Sequence, residues 1–585
     1  MAKAKVSAKA IGRKKVAKTN SRKQAAAVAL PWLKCYPPDV EAAPDFPEKP
    51  LYALLDEAAE QFSARPCVEF RGRSFTYADI KKRSDQVAKG LVAAGFKPGM
   101  KLGLFLPNCP YYVVFYFAGL KAGGTIVNFN PLYSEDEVAR QIADSGTDFI
   151  VTLDLAALLN KFSAMFERTK LRRVIVCSLA EQLPMITGLL FRATKRREIA
   201  RQPAGEHYLS ARQLMNNDGQ FSPLPVQPKT QIALLQYTGG TTGIPKGAAL
   251  THFNIYANAL QCQMWFASEG MQGAKTVGVL PLFHALAMTA VMNWSLLVGG
   301  CMLLEPRFEA QRLLALIDKR KPSVLIGVPT LYTALMNQPD FASHDLSSLK
   351  FSISGGASLP LQVQEEFRMK TGVTILEGYG LSEASPACCI NPVHLPNKSG
   401  SIGLPIPGTF CRVVSLDDRK TELKPGQRGE ICFRGPQVMQ GYWQKPDATA
   451  EVIINGWLHT GDVGYLDADG YVFITDRLKE MINISGYKVY PRQVEEAIYQ
   501  HPAVKECAVF GIDDAYRGQA IRAAICLKDG MVLSAKELET FLEPKISRLE
   551  MPHSYDFRDN LPKTAIGKIH KKILVEEYNL KIKET

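Results

Sequence analysis

The chain of 585 residues contains 12 cysteines but no CxxC pair, and only Cys388 and Cys389 adjoin. Zinc ribbons and redox dithiols are therefore not indicated, and reduced thiols of a cytosolic protein are the expected state. Acidic residues are absent before Asp39, whereas Lys3, Lys5, Lys9, Arg13, Lys14, Lys15, Lys18, Arg22 and Lys23 supply nine of the thirteen surplus positive charges. The remainder is close to neutral, so a basic face broad enough to follow a phosphodiester backbone is not expected, nor is a specific nucleic-acid partner. The same stretch lacks the apolar centre of a secretory signal, and its Lys/Ala-rich, Ser-poor composition is a poor match to a transit peptide; residues 1–30 read as a disordered basic tail, with organelle targeting left open. No internal repeat is visible.

Charge is also missing from Thr276 to Leu304, a run long enough to span a bilayer as a helix. Pro281 and His284 break its start, Asn293 sits inside it, and Gly299-Gly300 precede the β-type run Cys301 to Leu304. It reads as strand, loop, buried helix and strand in an α/β core. The length allows about three to five units at roughly 100–200 residues each, which excludes a single small binding module. Apolar runs at Leu102–Leu106, Phe149–Leu153, Val174–Cys177, Ala233–Tyr237, Val277–Leu280, Val324–Val328 and Leu349–Ser352 alternate with helical stretches, the pattern of parallel sheets covered by helices. Folding is expected to begin near Leu51, after an extended proline-spaced lead-in. Beyond Pro405 the chain becomes Gly/Asp-rich and strand-turn-strand in character, and after Asp476–Glu480 a compact unit of about 105 residues follows.

The strongest chemical signal is YTGGTTGIPKG, Tyr237 to Gly247. A strand delivers the chain into Gly239, Gly240 and Gly243, which let backbone N–H groups turn inward. Thr238, Thr241 and Thr242 add hydroxyls, and Lys246 adds a point charge. Such a loop suits a polyphosphate. It lacks the Gly-Lys-Ser/Thr of a Walker A loop, since Pro245 precedes Lys246 and Gly247 follows.

This string resembles the phosphate loop of the adenylate-forming, AMP-binding superfamily of acyl-CoA ligases, adenylation domains and beetle luciferases. Further motifs occur in the order the resemblance requires: LPLFHALAM with His284, SGGASL, EGYGLSEASP, WLHTGD, ITDRLKE and LPKTAIGK. The resemblance runs from about Pro31 to Ile573 and implies site residues. Lys246, His284, Glu383 and Lys568 are implied as catalytic. The phosphate loop, Gly355, Gly356, Ala357, Glu377, Gly378, Tyr379, Gly380, Ser382, Asp462 and Arg477 are implied to hold ATP or AMP, with Tyr379 on adenine and Asp462 and Arg477 on ribose. Glu383 with Thr238 is implied to bind Mg2+, and Ser485, Gly486 and Tyr487 to bind coenzyme A. Lys479 is implied as the hinge of a mobile C-terminal domain. Taken singly, His284 or Tyr379 would read as core residues and Lys568 as a solvated charge; only their joint order overrides that.

The implied architecture is an α/β fold. A large N-terminal domain over residues 31–478 combines parallel sheets, helices and a β-barrel-like part, and a small α+β domain spans residues 479–585. The implied reaction joins a medium- to long-chain fatty acid to AMP, releasing pyrophosphate, and then transfers the acyl group to coenzyme A, releasing AMP. It sets one anion against another, which is why Mg2+, Lys568 and loop N–H groups are needed together. The motifs are similar to those of bacterial long-chain fatty-acid–CoA ligases more than to acetyl-CoA synthetases or peptide-synthetase domains. Phe283, Leu286, Met288, Val291, Met292 and Trp294 beside His284, with Ala384, Pro386 and Ala387 after Glu383, carry no charge. Such walls suit an alkyl tail, which gains roughly 0.8 kcal/mol per buried CH2. An aryl acid would also fit, and an enzyme loading an acyl carrier protein is a further alternative.

Leu183 to Phe191 is apolar and is followed by Arg192, Lys195, Arg196 and Arg197, an order suited to a lipid surface. A surface helix with a solvated basic face is the plainer reading. With the tail, this segment is expected to give a cytoplasmic enzyme weak attachment to the anionic inner face of the membrane. Whether the chain acts alone or as a homodimer is left open.

Overall fold

The computed structural model describes residues 30–37, 39–238, 245–396, 398–484, 487–514, 518–565 and 567–584, the side chains only to 579. The basic tail before Leu30, the loop residues Gly239, Gly240, Thr241, Thr242 and Gly243, and Ser485 and Gly486 lie outside them.

Two parallel sheets form the bulk of the chain. In the first, Pro66–Phe70, Cys301–Leu304, Lys275–Gly278, Val324–Gly327, Phe351–Ser354 and Ile375–Gly380 run side by side in parallel. In the second, Ile232–Thr238, Thr125–Asn128, Lys101–Leu104, Phe149–Leu153, Arg173–Cys177 and Tyr208–Ser210 do the same. Their strands are apolar on both faces because helices cover both sides. Helix Pro110–Lys121 is buried all round, so its sequence PYYVVFYFAGLK shows no polar stripe. At its end Lys121 is fully enclosed, its Nζ 2.5 Å from both Asp56 and Asp85, which ties three helices together.

The uncharged run resolves as the sequence leads one to expect: strand Lys275–Gly278, a helical stretch from Ala285 to Leu297 with a π-helical centre at Met288–Asn293, and strand Cys301–Leu304. No helix among the described residues is long and apolar enough to cross a membrane. The lead-in differs from the expectation. Pro31–Cys35 forms a 3-10 turn whose Trp32 is buried against Gly470, and Tyr36 meets Trp265 edge-on at 5.2 Å. Packing therefore starts some twenty residues before Leu51, through isolated aromatics that carry no periodicity.

The part expected to be barrel-like is a set of antiparallel strands continuous with the first sheet. From Ile375–Gly380 the order runs through Ala387–Ile390, Ser401–Pro405, Val472–Arg477, Trp457–Leu466 and Gly429–Arg434 to an open edge at Phe410–Val414. A smaller sheet, built from Tyr487–Val489, Ile482–Ile484, Gly518–Leu527, Val504–Asp514 and Ser554–Phe557, has its own apolar core around Val494, Ile498, Val509, Ile521 and Leu538. The architecture is thus a large N-terminal α/β domain with a small C-terminal one. The 12 cysteines are all unpaired.

Candidate active site

Four strands adjacent in the first sheet end at one place. After Lys275–Gly278 the chain leads to His284, after Val324–Gly327 to Thr330, after Phe351–Ser354 to Gly355–Ala357, and the end of Ile375–Gly380 itself carries Tyr379. In open parallel sheets, ligand crevices form outside such carboxyl ends. The turns are tightly joined: Gly355 N–H donates to Gly327 O at 3.1 Å, and a methyl on Gly355 would sit 3.3 Å from Leu286. Gly356 has φ +82°, the left-handed region that glycine adopts at least cost.

Lys568 comes to this crevice from the C-terminal domain. A methyl on Gly356 would lie 2.9 Å from Lys568 Cε, and Thr330 donates to Gly567 O at 2.8 Å. Burial and the neighbouring Arg477 push the Lys568 ammonium down to about 8. Burial, with the Lys568 charge adding to it, pushes His284 down to about 3, so its imidazole is neutral at neutral pH. The His284 Nδ1 accepts from Leu286 N–H at 3.5 Å, at the start of the uncharged helical stretch.

On the other wall, Asp462 and Arg477 face each other on neighbouring strands, with Arg477 Nε donating to Asp462 Oδ1 at 3.2 Å. Tyr379 donates its hydroxyl to Asp462 Oδ2, and its ring lies 5.8 Å from that of Phe433. Burial and the Asp462 carboxylate hold the Tyr379 phenol protonated, while Asp462 pushes the Arg477 guanidinium further up. The loop bearing Asp462 rests on an enclosed network. Glu430 accepts from Gly461 N–H at 3.1 Å and from Arg419 Nε at 3.0 Å, and meets His459 Nδ1 at 2.8 Å. Burial alone would raise the Glu430 carboxyl, but the His459 and Arg419 contacts lower it overall. Cys432 joins this group, yet the carboxylate is already engaged by three donors, which fits a structural prop better than a metal site.

Glu383 sits in the turn Ser382–Ala384, its backbone O accepting from Met439 N–H at 2.8 Å. Tyr442 donates to its Oε1 at 2.7 Å, and Lys246 Nζ lies 5.2 Å above the Tyr442 ring. Thr238 pairs with Lys246 across the hairpin that closes the glycine-rich loop. Gly380 is confined, since a methyl there would approach Pro386 O to 2.0 Å. Gly378 pairs with Ile390 one strand over.

Glu377 faces another way. Its Oε1 accepts from Leu359 N–H at 3.2 Å and lies 4.0 Å from Arg492 of the C-terminal domain; burial pushes this carboxyl up to about 7. Tyr487 is 61% exposed, on a hairpin strand of the small sheet, and Lys479 occupies an exposed turn. The structure therefore gathers Lys568, His284, Gly356, Tyr379, Asp462 and Arg477, gathers Lys246, Thr238 and Glu383 around Tyr442, and leaves Tyr487 in solvent. Sequence reasoning missed Tyr442, Arg492 and Thr330. Only Tyr442 left a trace, in the GYW string that pairs beside Lys246–Thr251.

The chain matches the family described as AMP-binding enzyme over residues 55–443, and the AMP-binding enzyme C-terminal domain over residues 493–568. It belongs to the AMP-binding enzyme family. The long-chain-fatty-acid–CoA ligase of Bacillus subtilis (strain 168) is 39% identical over 550 residues, covering 94% of this chain and 98% of that protein. A feruloyl-CoA synthase of Amycolatopsis sp is 34% identical over 505 residues, covering 86% of this chain and 94% of that one. Among solved structures, ATP-bound MatB from Rhodopseudomonas palustris superposes with a TM-score of 0.80 at 26% identity, covering 91% of this chain and 99% of that one. The apo form of the same protein reaches 0.71 at 27% identity, covering 90% and 98%. This AMP-binding enzyme is an AMP-forming acid–thiol ligase.

Proposed function

We propose that this AMP-binding enzyme activates a long-chain fatty acid with ATP to an acyl adenylate and then passes the acyl group to coenzyme A, releasing AMP. The observation that carries the reading is the seating of Lys568 over Gly356, beside His284 and opposite the Tyr379–Asp462–Arg477 wall. Asp462 and Arg477 are suited to a ribose diol, the Tyr379 ring to adenine, and the turn Gly355–Ala357 to a purine edge. Lys568 supplies positive charge where the carboxylate oxygen attacks the α-phosphate and pyrophosphate leaves. His284, kept neutral, brings no second cation into the acyl side of the crevice.

Glu383 and Thr238 offer oxygen donors of the kind Mg2+ prefers, and among the described residues only Tyr442 donates to the Glu383 carboxylate. When bound there, Mg2+ supplies charge that neutralises the phosphates. Lys246 shares the Tyr442 platform and is placed to meet the outer phosphates beside the glycine-rich loop. Rotation about Lys479 would then withdraw Lys568 and bring the segment at Ser485, Gly486 and Tyr487 to the acyl adenylate for the coenzyme A step; the exposure of Tyr487 accords with this.

A long alkyl substrate is favoured by the uncharged stretch around His284, of which Met288, Val291, Met292 and Trp294 are buried while Phe283 and Leu286 are partly accessible. An aryl acid is the second reading, favoured by the feruloyl-CoA synthase relative. A panel of straight-chain acids of graded length, aryl acids and amino acids, assayed for AMP release with ATP and Mg2+, separates them. The expected result is preference for long alkyl acids and dependence of product turnover on coenzyme A. Preference for cinnamate-type acids would transfer the assignment to the second reading, and acyl transfer only to a carrier protein would refute the coenzyme A step.

A further inference from the structure

Helix Met185–Thr194 is mounted with its apolar side outward. Met185 is 81% exposed, Ile186 70%, Leu189 62% and Leu190 58%, whereas Gly188 is the residue pressed against the body, where a methyl would come within 2.6 Å of Ala180 O. Four large apolar side chains on one solvated helix are a costly arrangement for a surface that meets only water. Directly after them come Arg192, Lys195, Arg196 and Arg197, all exposed; among the described residues Lys195 is paired with Glu198 and Arg192 lies 3.8 Å from Glu181.

Under this helix lies a cavity of about 910 Å3 lined by Arg73, Arg83, Arg192, Tyr111, Glu181 and Leu189 among others. Among the lining residues Glu181 is the acid beside these three guanidinium groups, with Asp79 close to Arg73 and Arg83, and the Glu181 carboxylate also accepts from Tyr111 at 3.2 Å. Arg73 is held by the backbone oxygens of Glu181 and Leu183 at 2.5 and 3.3 Å. Arg83 stacks over the Phe75 ring at 4.8 Å, with Tyr111, Asp79 and Glu181 as its oxygen-bearing neighbours. A half-buried guanidinium lining a cavity whose rim is apolar and basic is complementary to an anionic amphiphile.

We propose that this face docks on an anionic phospholipid bilayer. Met185, Ile186, Leu189 and Leu190 enter the interfacial layer, Arg192, Lys195, Arg196 and Arg197 lie among the head groups, and one lipid phosphate enters the cavity to meet Arg83. Charge complementarity selects this occupant. The chain's own tail before Leu30 carries nine cations and no acid, so it would be repelled from an arginine-lined cavity. Interfacial helices bind through buried apolar area together with attraction between basic residues and anionic lipids, and this helix and its flank supply both. Docking is independent of which acid the enzyme activates, and it would hold the enzyme where amphiphilic acids partition.

The test is flotation of the full-length protein with phosphatidylcholine vesicles, with and without phosphatidylglycerol. Binding should require phosphatidylglycerol and weaken with salt. The paired substitution Ile186→Asp and Leu189→Asp, at exposed positions, should lower the partition coefficient about tenfold or more. Arg83→Gln should cut the preference for phosphatidylglycerol about fivefold, the effect of one cation at an anionic surface. Arg192→Gln serves the same purpose should Arg83→Gln unfold on a thermal melt. No binding by the parent protein, equal binding to neutral vesicles, or variants that float like the parent would each overturn the proposal. So would a concentration-dependent dimer that the paired substitution dissolves without altering flotation, because the face would then belong to a second copy. Acyl-CoA formation from dispersed acid, measured alongside, should be unchanged in the variants. A parent protein that floats but forms no acyl-CoA would refute the ligase reading alone.

Discussion

The proposed adenylation step draws its positive charge from one ammonium group, that of Lys568. Burial and Arg477 depress it to about 8, so it is protonated below that pH and neutral above it. A lysine that acts as a cation loses its use as it loses its proton. The kcat/KM for the adenylation half-reaction should therefore fall as pH rises through about 8, with the free enzyme setting the limb. Pyrophosphate exchange across pH 6.5–9.5, in roughly half-unit steps, would reveal it. The Lys568→Ala variant should lose about 100- to 1,000-fold in adenylation, the size of effect seen when a charge-stabilising donor is removed. It should still transfer a supplied acyl adenylate to coenzyme A at near the parent rate. Equal loss in both half-reactions would contradict a role confined to the first.

At the scale of elements, the helix Pro491–Tyr499 clamps the C-terminal domain to the large one. Arg492, 8% exposed, donates from Nη1 to Ile474 O at 3.0 Å and from Nε to Glu496 at 3.1 Å, while its backbone N–H meets Asp476 Oδ2 at 2.9 Å. Burial pushes Asp476 up to about 6. Arg492→Ala removes the side-chain contacts and keeps the backbone one. Hydrogen bonds from charged groups contribute about 1.5–3 kcal/mol, so the docked population should fall about tenfold or more. Adenylation should drop accordingly and thioester formation should not, which single-turnover measurements of each half-reaction can separate.

This clamp also marks where the sequence stopped being legible. Strands, their parallel order and the buried helical run follow from apolar periodicity, because burial on both faces leaves continuous apolar stretches. The gathered residues Tyr379, Asp462, Arg477 and Lys568 were legible through short motifs, which constrain backbone and side chain together. Arg492, Thr330 and Tyr442 were not, because each acts across a contact between distant segments and has no local pattern. Trp32 was missed for the same reason: one buried ring in a proline-rich stretch has no period to read.

For the whole molecule, the proposed reaction calls for two arrangements, since Lys568 occupies the crevice while Tyr487, its proposed counterpart for the coenzyme A step, stands in solvent. The proposed passage between them would be absorbed by few torsions, and the turn Leu478–Glu480, exposed at Leu478 and Lys479, leads from one domain to the other. Leu478 N–H donates to Gly461 O at 2.8 Å, and the N–H groups of Glu480 and Met481 both donate to Arg477 O at 3.0 Å. Among the described residues the Lys479 N–H donates no backbone hydrogen bond, so proline at that position sacrifices none, and Lys479 is not in the left-handed region that proline cannot adopt. Lys479→Pro should therefore tolerate the docked arrangement while removing the freedom of one torsion. The expected result is adenylation within about threefold of the parent, with acyl transfer to coenzyme A slowed about tenfold or more, so that acyl adenylate accumulates in a rapid-quench time course. Slowing of both steps by one factor would move the pivot elsewhere in the turn.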